Sequence, residues 1–143
     1  MGKTKRGKGA KIMAMAAVNS IPLAVSIDSA SPHESHLVDE TLAGSFLDEL
    51  PERLIGDKAY DSDPLDRHLE EGYAIEMIAP NRENRSPTQD GRKLRRYKKR
   101  WAVERLFAWL QWFRRLVTRY EFYAENFLGM VQLGCMKIML RHL

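Results

Sequence analysis

A mixed α/β domain, with helices packed on a sheet, is the fold class this sequence predicts, and three observations carry the prediction. Short apolar runs bounded by turn residues alternate with helical patterns up to about residue 78. A helical period then returns after about residue 92 and holds to the end of the sequence. The chain has 143 residues, 44% of them hydrophobic and 29% charged, which suits a globular domain with one core and leaves too little for two.

Residues 1–10 are rich in Gly and Lys and read as a flexible basic arm. Residues 11–19 and 21–27 are two runs of small and apolar side chains with Asn19-Ser20 between them, the pattern of a β-hairpin. Pro22 fits there only at a strand start or edge. Ser31-Pro32-His33-Glu34 has the cap, first-turn proline and capping-box acid of a helix start, and the helix is expected to run to about Phe46. Its buried face would hold Leu37, Thr41, Leu42 and Phe46. Residues 53–57 form a short strand ending on Asp57, and Asp63-Pro64 opens a helix that Gly72 should stop. Residues 73–78 are the next strand, and residues 79–92 read as a loop. One long helix is expected from Lys93 to about Tyr120, and a second from about Asn126 to Arg141. The domain reading is one unit over 1–143, with the basic arm at 1–10, the loop at 79–92 and a helical segment at 93–143.

Several function classes are disfavoured early. The single Cys135 leaves no disulfide framework and no four-cysteine zinc site, so an intracellular location is expected. No charged-then-apolar leader opens the sequence, and the greasiest stretch, residues 127–140, is shorter than the roughly 20 residues of a membrane crossing. His33, His36, His68 and His142 show no metal-ligand spacing with Cys135 or with each other, which disfavours a hydrolase or deaminase site; they read as surface or cap residues. Residues 2–9 approach the spacing of a phosphate-binding loop, but Gly9 stands where the metal-binding Ser or Thr belongs.

The net charge of +4 conceals a strong segregation. Residues 28–76 carry fourteen acids and three bases, whereas residues 92–119 carry eleven bases and one acid, Glu104. A basic block of that density suits a polyanion, and nucleic acid is the commonest one. Lys3, Lys5, Arg6 and Lys8 in the arm, and Arg95, Arg96, Lys98, Lys99, Arg100, Arg114 and Arg115 in the block, are the expected phosphate contacts. A solvated, Arg-rich helix face would produce the same composition.

Two acids are the candidate chemistry. Asp57 ends an apolar strand after Gly56, which permits close backbone approach, and Lys58, Tyr60 and Asp61 follow in a turn that can line the same crevice. Its blander role is to cap that turn. On a helix, Tyr97 and Gln111 lie about 20° from Glu104 and Arg100 about 40° from it, so the four make one polar stripe. Val103, Phe107, Leu110, Leu106, Phe113 and Val117 occupy the adjacent apolar arc. The blander reading of Glu104 is an i,i+4 ion pair with Arg100. An acid in a basic groove also suits phosphodiester chemistry, in which two Mg2+ or Mn2+ ions about 3.5–4 Å apart are held by converging carboxylates. Asp57 and Glu104 would supply two of the three.

Residues 54–62 (Leu-Ile-Gly-Asp-Lys-Ala-Tyr-Asp-Ser) and 96–110 together resemble DDE transposases of bacterial insertion sequences, of the insertion-sequence-5 type. Residues 2–9, 28–34, 87–91 and 113–121 extend the resemblance in order over nearly the whole chain. The family signature Tyr-x2-Arg-x3-Glu-x6-Lys/Arg falls on Tyr97, Arg100 and Glu104, and its last place on Gln111, which removes a positive charge. The resemblance implies an RNase H-like mixed sheet lacking its first strand, with Asp57 and Glu104 as second and third metal-binding acids and Lys58, Tyr97 and Arg100 beside the DNA. It implies Mg2+ or Mn2+ as cofactor, two ions in the complete family site. It further implies DNA cleavage and strand transfer at transposon ends, and a cytoplasmic, nucleoid-associated location. The first acid belongs on a strand before the basic arm, so the chain reads as the carboxyl-terminal part of such an enzyme, and the absent strand leaves residues 11–19 with an unpaired edge. An upstream transposase polypeptide or a second copy is the implied partner. The alternatives are a DNA-binding module without catalysis and an inactive remnant. Trp101, Trp109 and Trp112 would stack on bases or pack in the core, and Met130, Met136, Ile138 and Met139 read as core.

Overall fold

The computed structural model describes residues 2–4, 7–80 and 99–142, with the backbone alone up to residue 8. The mixed α/β class holds. The arm is not a loop: β1 (Gly2–Thr4) pairs antiparallel with the start of β2 (Gly7–Ala16), from Gly2 opposite Gly9 to Thr4 opposite Gly7. β2 then pairs antiparallel with β3 (Pro22–Ser29), Pro22 standing at the strand start as expected. Their turn is closed by the Ser20 N–H donating to Ala17 O at 2.8 Å and by the Ala17 N–H donating to Ile21 O at 2.9 Å, with Ser20 at φ 70°.

The expected helix from Ser31 to Phe46 is shorter and starts later. His33, not Ser31, caps a single 3-10 turn at Glu34–His36, and α1 covers only Val38–Ala43. It stops because the chain turns back onto β3: Ser45 bridges Ala24, and the Phe46 N–H donates to Leu23 O at 2.8 Å. Gly44 permits that approach, since a Cβ there would lie 2.6 Å from Val25 O. Leu37, Thr41 and Leu42 are buried as expected, and Phe46, past the helix end, is exposed. Thr41 Oγ1 donates to Leu37 O at 2.7 Å and hydrogen-bonds Ser26 Oγ at 2.8 Å, so α1 is tied to β3 by a satisfied buried polar pair.

β4 (Arg53–Ile55) and β5 (Glu76–Ile78) pair in parallel, joined by the crossover helix α2 (Asp63–Tyr73). Gly72 does not stop α2. The helix runs on to Tyr73 and ends at Ala74, the residue with positive φ (55°), because the Ala74 and Ile75 N–H groups fold back onto Glu70 O and Leu69 O.

The expected continuous helix up to Tyr120 is broken. Residues 93–98 lie outside the described residues. α3 covers Trp101–Leu110 and α4 only Arg114–Val117, before α5 (Ala124–Leu140). Phe113 is extended between α3 and α4, and the chain there closes on α5 at Gly134, where an added Cβ would lie 3.1 Å from Leu110 and 3.2 Å from Leu116. Burial against α5 outweighs the helical period. Two readings fail with it: Val117 is 64% exposed rather than on the apolar arc, and Met136 points outward rather than into the core.

Two apolar clusters organise the packing. Leu106, Leu110, Phe127, Val131, Cys135 and Ile138 pack with Val25 under Ile12, Ala14 and Ala16 of β2. Val38, Leu42, Leu65, Leu69, Ile75 and Met77 form the other, with Met15 of β2 and Leu54 of β4 against it. Alternate β2 residues thus serve opposite faces, placing α3 and α5 on one side and α1 and α2 on the other. The described strands form two sheets, β1-β2-β3 and β4-β5, rather than one mixed sheet. No described helix is long and apolar enough to cross a membrane.

Candidate functional site

One cavity of about 560 Å³ lies between β2, β4, α1 and α3. Asp57 is on its wall, two residues past the end of β4, which stops at Ile55 rather than on the acid as expected, because Gly56 lets the chain pass tightly against Tyr60 and Met77. A Cβ at Gly56 would fall 2.8 Å from Tyr60 Cγ and would collide with the Met77 methyl. The close approach expected of Gly56 is therefore real. Asp57 Oδ1 accepts the Ala59 N–H at 2.8 Å and caps the 3-10 turn Lys58–Tyr60, so it fills the blander role while facing the cavity.

Of the turn residues, Tyr60 lines the cavity, Lys58 is exposed and Asp61 is buried. Burial, then the charges of Asp57 and Glu34, push the Tyr60 phenol up to about 12. Glu34 also lines the cavity, and sequence reasoning passed over it as a capping residue. Lys11 Nζ lies 2.8 Å from Glu34 Oε1 and donates to Pro32 O at 2.8 Å. The hydrogen bond that Glu34 accepts from Lys11 is the first cause holding its carboxyl below its ordinary range. The pairing of positions so far apart in sequence has no signal in the sequence itself.

Lys99 and Arg100 line the cavity at the start of α3. Arg100 Nη2 lies 2.7 Å from Glu104 Oε1, the i,i+4 pair that spacing allowed. Arg114 and Arg115 are exposed, Arg115 Nε lying 3.5 Å from Glu121 Oε1. Arg119 donates to Glu121 O and Phe122 O at 2.8 and 3.0 Å, which gives it a structural task. Arg105 stacks 4.2 Å from the Trp101 ring centre, and Trp112 is 85% exposed. Of the expected phosphate contacts, Lys5, Arg6, Arg95, Arg96, Tyr97 and Lys98 lie outside the described residues, and the side chains of Lys3 and Lys8 do as well.

The histidines occupy cap and surface positions: His33 caps its turn, and His68 Nε2 lies 2.9 Å from Asp39 on the surface. Among the described residues no group of three or more His, Cys, Asp and Glu is placed to hold a metal ion. Asp57 and Glu104 still have the hard oxygen donors that Mg2+ prefers, and Mg2+ usually takes only one or two protein carboxylates beside substrate phosphate. Both carry the oxygen donors such an ion takes; Asp57 lines the cavity, and Glu104, which is not among its lining residues, is tied to it through Arg100.

Comparison with known proteins adds a family. Residues 1–139 match the model of the family described as "Transposase DDE domain". The chain is 38% identical over 85 residues to a Burkholderia cepacia protein named "Putative transposase for insertion sequence element IS402"; the match covers 59% of this chain and 37% of that one. The chain thus spans little more than a third of the length of that relative. No solved structure matches.

Proposed function

Since the chain belongs to the transposase DDE domain family, we propose that it acts on DNA in transposition, holding a phosphodiester strand at the mouth of the cavity that Asp57 lines. The observation that carries this reading is that Asp57 and Arg100 both line one cavity while Arg100 pairs with Glu104. In this reading the 143 residues act as one partial catalytic domain.

Lys99, Arg100, Arg114 and Arg115, with the basic residues of 3–8 and 95–98, neutralise phosphates. The Ala59 N–H fixes the orientation of the Asp57 carboxylate. A phosphate that takes over the Arg100 guanidinium releases Glu104 Oε1 for another partner. Asp57 and Glu104 would hold Mg2+ or Mn2+, which supplies polarisation of the scissile phosphodiester and a more acidic bound water.

Binding of a labelled duplex, measured by anisotropy with Mg2+ and with chelator, tests the reading. Binding that falls steeply with salt, together with Mn2+ affinity lost in Asp57→Ala, is expected. DNA binding indifferent to chelator with no Mn2+ affinity leaves the second reading, a DNA-binding module without catalysis. The turn-capping hydrogen bond that Asp57 accepts and the ion pair between Arg100 and Glu104 favour that reading, since each gives an acid a structural task. No DNA binding at low salt refutes both.

A further inference from the structure

A run of uncovered aromatic side chains lies outside the cavity. Among the described residues, the three most exposed large apolar side chains are Phe122 (86%), Trp112 (85%) and Tyr120 (72%), and Tyr123 is exposed as well. All four fall within residues 112–123, which also carry Arg114, Arg115 and Arg119. Phe113 and Leu116 turn toward Gly134 of α5, which leaves Trp112, Arg114 and Arg115 to solvent. Rings left this open bury little area, so folding gains little from them.

The segment that carries three of these rings is nonetheless anchored. Arg119 donates to Glu121 O and Phe122 O, and its guanidinium carbon lies 5.4 Å from the centre of the Phe127 ring. Phe127 is buried in the core, so the segment is tied to α5. The Glu121 side chain is nearly buried and pairs with Arg115 at 3.5 Å, which brings that arginine to the same segment. Phe122 and Tyr123 meet edge to face, with ring centres 5.2 Å apart and planes at 87°. In that arrangement one ring gives the other only its edge and keeps both its faces free.

Charge decides what covers the rings. Glu121 is paired, and Glu125 stands in the first turn of α5, where it offsets the helix dipole, whereas Arg114 and Arg115 are exposed. Ring faces beside guanidinium groups suit a partner with flat apolar rings and regularly spaced negative charge, which is a nucleic acid strand. A duplex hides its base faces in the stack, and an unpaired strand offers them. We infer that Phe122 and Tyr123, with Tyr120, form a stacking platform for the bases of an unpaired DNA strand whose phosphates Arg114 and Arg115 hold. The inference rests on the proposed action on DNA and narrows it to a strand with open bases, held outside the cavity of Asp57.

The test is anisotropy with the full chain and three labelled probes: an oligothymidylate of about twelve nucleotides, the matching duplex, and an abasic oligomer with the same phosphates. The chain should bind the oligothymidylate at least about fivefold more tightly than the abasic oligomer. Phe122→Ala should remove that difference, leave duplex binding within about twofold, and keep the salt slope, since no charge is lost. Phe122→Trp should retain the oligothymidylate affinity, and Phe122→Leu, apolar but without a π face, should lose it. Circular dichroism should be unchanged in all three variants, because the side chain is exposed. Equal binding of the abasic and thymidine oligomers, or an equal loss of duplex binding in Phe122→Ala, overturns the platform while the proposed function stands. No binding of any probe at low salt overturns both. Self-association of the free chain that Phe122→Ala abolishes also overturns the inference, because a second copy then covers the rings.

Discussion

Arg100 and Glu104 are joined at 2.7 Å across one turn, so the only acid of the basic block is held by a guanidinium that also faces the cavity of Asp57. Both side chains are well exposed, 38% and 57%. An exposed helical pair of this kind contributes only about 0.3–0.5 kcal/mol to stability. Glu104→Gln should therefore leave thermal unfolding nearly unchanged while abolishing Mn2+ affinity measured by calorimetry. A large loss of stability would show that the pair is structural instead.

Strand transfer by the chain alone is expected to be undetectable, because two carboxylates leave a coordination place without a protein ligand. A nicking and joining assay on transposon-end DNA with Mg2+ checks this. Turnover that disappears in Asp57→Ala would refute the expectation. DNA affinity itself should persist, and Arg114→Ala and Arg115→Ala should each flatten the salt slope by about 1.

Gly56→Ala should destabilise the fold by about 1–3 kcal/mol, since the added methyl meets the Tyr60 ring and the Met77 side chain rather than space. Denaturant unfolding measures the loss. Gly72→Ala is the control: nothing lies within 4 Å of a Cβ there, and alanine suits a helix better than glycine, so that variant should be neutral or more stable.

Tyr60 should give the fold an alkaline limit. Its phenol is raised from 10.0 to about 12, so the neutral form is favoured in the folded chain. This contribution is fully present below pH 10 and is lost as pH rises from 10 toward 12. Tyr60→Phe should flatten the stability profile in that window, and an unchanged profile would contradict the assignment.

Cys135 should be inert while the chain is folded. It is fully buried, and desolvation lifts its thiol from 9.0 to about 11. Labelling by iodoacetamide at pH 8 should be slower than in denaturant by on the order of 10³-fold or more, because reaction waits for opening. Beside it, Leu106→Ala should cost about 2–5 kcal/mol through the cavity it leaves.

The hairpin of β2 and β3, the strand before Asp57, the crossover helix and α5 were legible because each is written in local signals: turn residues, apolar runs and helical period. The family was legible too, since its motifs stand in order along residues 1–139. Element ends were not. Ser45 and Phe46 leave α1 to pair with β3, and Phe113 leaves α3 to pack on α5, choices made by partners distant in sequence.

The sequence by itself determined that an acid would stand just beyond β4 and that a lone glutamate would sit among bases one turn after an arginine, because turns after strands and i,i+4 spacing are local geometry, although β4 ends at Ile55 and not on Asp57. Only the tertiary structure decided that Glu34, Lys11 and Tyr60 share Asp57's cavity, and that β2, β4 and α3 all line it. Those relations arise when alternate faces of β2 bury against different helices, and burial depends on the whole chain rather than on any one window of it.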